Sequence, residues 1–216
     1  MENIEFICFT SPLGGCGCSC AAWTLGRIAS KIFKRKVLII SLESLRIKLL
    51  PRSAVRSEKG NIFSGIYCGS SNYGMALEFP LYRDEFGVSY MASEEYFNPL
   101  CNISEDELNS FFETISSSNE FDLVILDIPL RTPSFEKYIF CCEKAVIVSG
   151  YIREKRWVSD DFLAHLESDA SELKESPVFF KFAAEEDKES FTDDDVDIHG
   201  QFGAEVRELA DELFTS

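Results

Sequence analysis

Apolar residues in this chain fall into short uninterrupted runs, separated by stretches in which they recur every three or four positions. That alternation predicts strands covered on both faces and joined by amphipathic helices. Residues 4–10 (IEFICFT) form the first run, followed by a Pro/Gly cluster and a helical pattern over 19–33, so strand, loop and helix are expected in that order. Residues 36–42 (KVLIISL) form the second run, apolar without alternation. Two such strands joined by a helix make a βαβ unit. The segment 104–118 (SEDELNSFFETISSS) opens with Ser104 and Glu107 at capping-box spacing and sets Leu108, Phe111, Phe112 and Ile115 on one helical face. Further strands are expected over 121–128 (FDLVILDI), which carries Asp127 near its end and is stopped by Pro129, over 144–149 (KAVIVS) and over 178–182 (VFFKF).

Residues 77–93 break the rhythm and predict a turn over 83–87 followed by one more strand over 88–91. Between 185 and 197 there are eight acidic residues and one lysine with almost nothing apolar, the pattern of a solvated loop. A final helix over 202–214 places Phe202, Val206, Leu209 and Leu213 on one face and acids elsewhere, which suits docking on a sheet and not on an anionic membrane. Strands alternating with helices indicate a single α/β domain over 1–216: a doubly wound, mainly parallel sheet flanked by helices in three layers. Ligands of such sheets bind at the carboxyl ends of the strands.

Composition agrees with this picture. With 216 residues, 45% of them hydrophobic and 27% charged, the chain is long enough to bury a core, which excludes disorder for most of it. No apolar run approaches the roughly 18 to 20 residues of a membrane span. Eight cysteines are too few for a disulfide scaffold, and the chain opens without a charged-then-apolar leader, so reduced thiols and a cytoplasmic location are expected. The net charge of −16 is uneven: residues 1–60 carry ten Lys/Arg against four Asp/Glu, and the remainder is strongly acidic. Bulk acidity argues against a nonspecific nucleic-acid coat. Arg46, Lys48, Arg52, Arg56 and Lys59 form the one candidate basic patch, for which a solvated loop is the plainer reading.

The chemistry concentrates in residues 11–20 (SPLGGCGCSC), between the first strand and the first helix. Gly14, Gly15 and Gly17 allow a tight backbone turn with N–H groups pointing inward, and the helix that follows presents the positive end of its dipole. Such a loop binds phosphate. Asp127 stands where a carboxylate can hold a magnesium-bound water or sense a γ-phosphate, with a cap or turn role before Pro129 as the alternative. Cys16, Cys18 and Cys20 alternate near Cys8, and thiolates bind zinc or iron–sulfur clusters. Their spacing departs from the usual CxxC pairs, however, so small buried thiols are the default reading, as for the adjacent Cys141 and Cys142. His165 and His199 have no nucleophile or ligand partner in sequence, and no hydrolase triad is legible.

At this loop the chain resembles the MinD/ParA family of P-loop ATPases, whose deviant Walker A loop reads K-G-G-x-G-K-[ST]-[ST]. Leu13, Gly14, Gly15, Cys16, Gly17, Cys18, Ser19 and Cys20 fall on it: the glycines match and both lysines are missing. The resemblance implies nucleotide binding by Gly14 to Cys20. In the family the lysine at the Leu13 position reaches the nucleotide of the partner subunit, and the lysine at the Cys18 position grips the β and γ phosphates. Ser19 keeps the hydroxyl that touches magnesium. Where the family has I-D-x-D, this chain has Ile40, Ser41, Leu42 and Glu43, and Asp127 with Pro129 matches the D-x-P of the switch II strand. The closing FGAEVRELADEL is similar to the C-terminal helix of the TadZ/CpaE-like branch, which helps place pilus-assembly machinery at a cell pole.

Hydrogen bonds to charged groups contribute about 1.5 to 3 kcal/mol each. Losing two lysine contacts therefore weakens nucleotide binding by about 3 to 6 kcal/mol, roughly a hundredfold to ten-thousandfold. Catalysis suffers further, because phosphoryl transfer rests on positioned positive charge. A Cys18 thiolate, if the helix N-terminus lowered its pKa, would repel phosphate. Arg46 and Lys48, or Arg153, Lys155 and Arg156, are the candidate surrogate cations. The expectation is thus a degenerate MinD/ParA-like protein, homodimeric as in the family, that positions or scaffolds a membrane-associated assembly such as a pilus or secretion system. It would be recruited to the membrane or cell pole through protein partners, without inserting into the bilayer, and would hydrolyse ATP weakly or not at all. ATP or ADP with magnesium is the expected cofactor if one binds, with Ser19 and Asp127 at the metal. Two alternatives are a noncanonical ATPase using Ser19, Glu43 and Asp127 around magnesium, and a cysteine-based metal or redox protein.

Overall fold

The uninterrupted apolar runs form the centre of a sheet whose two faces are both covered by helices. In the computed structural model the described residues are 4–43, 53–57, 66–68, 75–77, 80–91, 98–130, 132, 135–149, 161–162, 164, 166, 175, 177–180, 191–192, 195–196 and 198–215. The chain runs β1 (Glu5–Thr10), α1 (Cys18–Lys31), β2 (Val37–Ser41), β3 (Val55–Arg56), β4 (Ile66–Cys68), β5 (Met75–Leu77), β6 (Leu81–Arg83) and β7 (Ser89–Met91). After a 3-10 turn over Pro99–Asn102 come α2 (Glu105–Ser118), β8 (Leu123–Ile128), α3 (Phe135–Cys141), β9 (Lys144–Val148) and β10 (Val178–Phe180). The last elements are β11 (Phe191–Thr192), β12 (Asp195–Val196) and α4 (Gln201–Thr215). The main sheet has eight strands in the order β10-β9-β1-β8-β2-β7-β6-β3. From β10 to β7 the pairing is parallel, and β6 and β3 join antiparallel.

Alternate residues of the central strands feed two separate cores. Phe6, Cys8, Leu38, Ile40, Val124 and Leu126 pack against Leu108, Phe111, Phe112 and Ile115 of α2 and against Tyr138 and Ile139 of α3. Ile7, Phe9, Ile39, Ile125 and Val146 face α1 and α4, whose Phe202, Val206, Leu209 and Leu213 are buried there. This is the three-layer, mainly parallel α/β arrangement expected from the sequence. The capping box also forms, with the Ser104 backbone N–H donating to Glu107 at 2.7 Å and Glu107 N–H donating to Ser104 Oγ at 3.3 Å.

A buried polar cluster ties the β6–β7 hairpin to α1. Asp84 Oδ2 accepts from Arg27 Nε at 3.0 Å and from the Tyr90 hydroxyl at 2.8 Å, while Oδ1 accepts the Phe86 and Val88 N–H groups, each at 3.0 Å. The turn after Arg83 and the strand that follows it were expected; the antiparallel β6 before them was not. One correction follows from pairing that local pattern does not reveal. Within the acid-rich stretch, β11 and β12 form an antiparallel pair, so part of the expected solvated loop is a ladder. The segment Phe135–Cys141 forms a short helix that buries Tyr138 and Ile139. Among the described residues no helix is long and apolar enough to cross a membrane.

Candidate functional site

The central position of β1 decides where the glycine loop lies. Strand β1 sits between β8 and β9, so the loop that leaves Thr10 emerges at the carboxyl ends of the parallel strands, beside the end of β8. Ser11 shapes its start, with Oγ accepting from Leu13 N–H at 3.2 Å and donating to the Leu13 carbonyl at 2.9 Å. Gly15 and Gly17 have φ of 76° and 73°, the left-handed region that side chains resist. Gly17 is the N-cap of α1, no side chain caps that helix, and its first turn holds no acid. Its leading N–H groups are therefore directed at the loop, the arrangement that favours anions. Where a Cβ would sit on Gly14 or Gly15 there is open space, so the loop keeps room on its outer side.

At the start of α1 the loop meets the strand-end aspartate. Ser19 Oγ donates to Asp127 Oδ2 at 2.7 Å, and Ser41 Oγ, held opposite by the β2–β8 register, lies 3.4 Å from the same oxygen. The Cys18 thiol is also in hydrogen-bonding contact with Asp127. The end of β2 is fastened by Leu42 N–H donating to the Asp127 carbonyl at 2.9 Å and by Glu43 N–H donating to Ser41 Oγ at 3.3 Å. Residues 11–20 thus form a strand-to-helix loop against Asp127, which brings Gly14 through Ser19, Ser41, Glu43 and Asp127 to one end of the sheet.

Electrostatics set the state of these groups. Burial pushes the Asp127 carboxyl up to about 6; the Ser19 bond opposes the shift, the Glu43 charge adds to it, and the Ser41 and Cys18 contacts oppose it. Burial, and then the Asp127 charge, holds the Cys18 thiol well above its ordinary value, and the same two causes raise Cys20. A Cys18 thiolate promoted by the helix dipole therefore does not arise: desolvation and the neighbouring carboxylate outweigh the dipole, and the side chain is a neutral thiol.

The cysteines whose side chains are described do not assemble a metal site. Cys16 is buried with its sulfur 4.0 Å from the Gly14 carbonyl, and Cys20 packs on the core beneath α1. Among the described residues no three His, Cys, Asp or Glu side chains converge as metal ligands. Arg46, Lys48, Arg52, Lys59, Arg153, Lys155, Arg156 and His165 lie outside the described residues. Arg56 is on β3 at the sheet edge, five strands from β1 and so about 24 Å away at ~4.8 Å per strand, too far to reach the loop. His199 is exposed in the turn before α4. Leu13 is half-buried beside Ser11. The sequence shows Ser41 only as a missing carboxylate; in the structure its hydroxyl lies within hydrogen-bonding distance of Asp127. The signal was its position at the end of a strand adjoining β8.

A glycine loop between a central parallel strand and an uncapped helix, facing a strand-end aspartate, defines a three-layer P-loop NTPase fold. Solved structures that share this fold include ParA/MinD-type ATPases. The chain is similar to a ParA family ATPase from Chlorobium tepidum, with 14% identity, a TM-score of 0.61, and coverage of 97% of this chain and 81% of that one. It is similar to cobyrinic acid a,c-diamide synthase from Mycobacterium smegmatis with bound ADP and magnesium, with 12% identity, a TM-score of 0.63, and coverage of 97% and 94%. It is also similar to the MinC:MinD cell division protein complex of Aquifex aeolicus, with 20% identity, a TM-score of 0.55, and coverage of 82% and 68%. No protein-family model matches the chain, and no curated protein matches it in sequence.

Proposed function

We propose that the chain is a MinD/ParA-like P-loop protein that has kept the metal half of its site and lost the phosphate half. In this reading it works as a positioning or scaffolding factor for a membrane-associated assembly such as a pilus or secretion system, and turns over ATP weakly or not at all. The observation that carries the reading is position 18. There the family's phosphate-gripping lysine is replaced by a neutral thiol turned to Asp127, and position 13, the other lysine, is a leucine.

The residues fit a magnesium nucleotide in shape but not in charge. Gly15 and Gly17 hold the turn, the open N-terminus of α1 faces the loop, and Ser19 with Asp127 would hold magnesium. Magnesium bound there would supply the positive charge that Asp127 otherwise lacks. Nothing in the described loop supplies the cation that a transferring phosphoryl group requires. The solved relatives support protein partners for this fold, since one of them is a MinC:MinD complex. Self-association follows from the same likeness, and recruitment to a membrane or cell pole would then pass through such partners.

Titration of the purified protein with magnesium ATP tests the reading. Binding in the millimolar range or weaker, with no hydrolysis above background, is the expected result. Saturable micromolar affinity that disappears in Gly17→Val, a variant that strains the φ of 73°, would favour the alternative of a noncanonical ATPase built on Ser19, Glu43 and Asp127.

A further inference from the structure

At the opposite end of the sheet from the glycine loop, the start of β1, the outer side of α2 and the end of α3 enclose a groove of about 1270 Å³. Small-molecule pockets are typically about 300 to 1,000 Å³, so this space is larger than such a ligand fills. Its wall along α2 runs from Asn109 to Asn119, about 15 Å at ~1.5 Å per residue, the length of nearly three helical turns. The floor is apolar: Phe6 and Phe112 touch with ring centroids 4.7 Å apart, and Phe140 and Ile4 flank them.

The rim is negative for two separate reasons. Glu5, Glu113, Glu143 and Glu175 line it, and among the described lining residues Lys144 is the one cation, while Glu5 is also paired with Arg35 at 3.1 Å. That ammonium is held 3.1 Å from Glu5 and donates to the Leu213 carbonyl at 2.5 Å, so it turns toward the protein. Glu113 and Glu175 are exposed, and Glu143 brings its charge while accepting the Phe6 N–H at 2.6 Å. Independently, the C-terminal end of α2 opens into the groove at Ser116, Ser117 and Asn119, and its last turn holds no basic residue. The carbonyl end of a helix dipole favours cations.

We propose that this groove docks a cationic, amphipathic peptide segment of a partner protein, one aromatic or aliphatic anchor entering over Phe112 and Phe140 and its lysines or arginines lying along Glu113, Glu175 and the end of α2. Apolar anchors in a groove with charges at its rim are how amphipathic helices are recognised. The rim charges set encounter rate and salt dependence more than affinity. Because the groove lies at the far end of the sheet from the glycine loop, the two sites do not compete for space.

The probe is a synthetic 15-residue (~three- to four-turn) amphipathic helix of lysine and leucine with one tryptophan, titrated by fluorescence anisotropy. A scrambled peptide of equal charge and an acidic counterpart serve as controls. The full chain should bind the amphipathic peptide at least tenfold more tightly than the scrambled one and should not bind the acidic one. The double variant Glu113→Lys/Glu175→Lys should weaken binding tenfold or more, and Phe140→Ala about fivefold. Glu208→Lys/Asp211→Lys, an equal charge change on the exposed side of α4, should leave it within twofold. Equal binding of the scrambled peptide, or equal loss in the α4 variant, would reduce the effect to bulk acidity and overturn the proposal. If sedimentation instead finds a wild-type dimer that Glu113→Lys/Glu175→Lys dissociates, the occupant is a second copy of this chain and the proposed partner is refuted.

Discussion

Among the described residues two aspartates are sealed inside this domain, and the chain treats them in opposite ways. Asp84, 6% exposed, receives the Arg27 guanidinium, a tyrosine hydroxyl and two backbone N–H groups. Asp127, 1% exposed, receives two serine hydroxyls and a thiol, and its carboxyl is pushed up to about 6. Against an ordinary value of 3.8, that shift corresponds to about 3 kcal/mol of unfavourable burial at neutral pH, at ~1.36 kcal/mol per unit. A chain that neutralises one buried aspartate so completely has the means to neutralise the other. Leaving Asp127 with neutral partners at the mouth of a glycine loop is the pattern of a carboxylate reserved for a cation that arrives from outside. The comparison therefore separates an aspartate paired with a cation from one whose partners are neutral, and under the proposed function it is the second that would meet magnesium.

Placing a cation beside Asp127 gives the largest expected change. Leu13→Lys/Cys18→Lys restores both family lysines and should tighten magnesium ATP by about 3 to 6 kcal/mol, a hundredfold to ten-thousandfold, in a calorimetric titration. It should also bring the Asp127 carboxyl down toward the range of a carboxylate with a cationic neighbour. No gain in affinity would mean that the loop does not hold the family conformation. The reverse operation, removing the cation's partner at the other aspartate, comes next in size. Asp84→Ala leaves Arg27 buried beside Tyr90 and Phe86 without its carboxylate and should destabilise the fold by about 3 to 5 kcal/mol in urea. A loss below about 1 kcal/mol would show that the hairpin is held by its ladder and not by the pair, and that Asp84 is no structural counterpart to Asp127.

How much of this contrast was readable beforehand follows from the range of the interactions involved. Both strands that flank the Ser41–Asp127 contact, β2 and β8, stand out as apolar runs because they are buried on both faces, and the Ser104–Glu107 box marks α2 because capping is local. The loop was legible because its glycines sit between a strand and a helix. Neither the Arg27–Asp84 pair nor the Ser41–Asp127 contact was legible: they join residues 57 and 86 positions apart, and only sheet register brings them together. The helix α3 was missed because seven residues give barely two turns of periodicity. The pairing of β11 with β12 was masked by the acids around it, whose composition signals solvent regardless of backbone. At Cys18 the sequence left open the sign of the thiol's shift, because a helix dipole is local while desolvation depends on what folds over the site.

The smallest effect is also the most direct reading of Asp127 itself. A folded-state carboxyl at about 6 holds its proton where the unfolded chain, near 3.8, has released it. Between those values the native state binds more protons, so this group's contribution to stability is fully present below about pH 4 and is lost as pH rises through about 6. Asp127→Asn cannot titrate. The urea stability of the wild type minus that of Asp127→Asn should therefore fall by about 2 to 2.5 kcal/mol between pH 4 and 7, with a slope of up to ~1.4 kcal/mol per unit. Magnesium competes with the same proton, so any magnesium-dependent nucleotide binding should strengthen as pH rises through about 6, and should keep no such dependence in Asp127→Asn. A flat difference curve would place Asp127 at an ordinary carboxylate value, satisfied by Ser19 and Ser41 alone. In that case the two buried aspartates would be equally at rest, and nothing about Asp127 would call for an incoming cation.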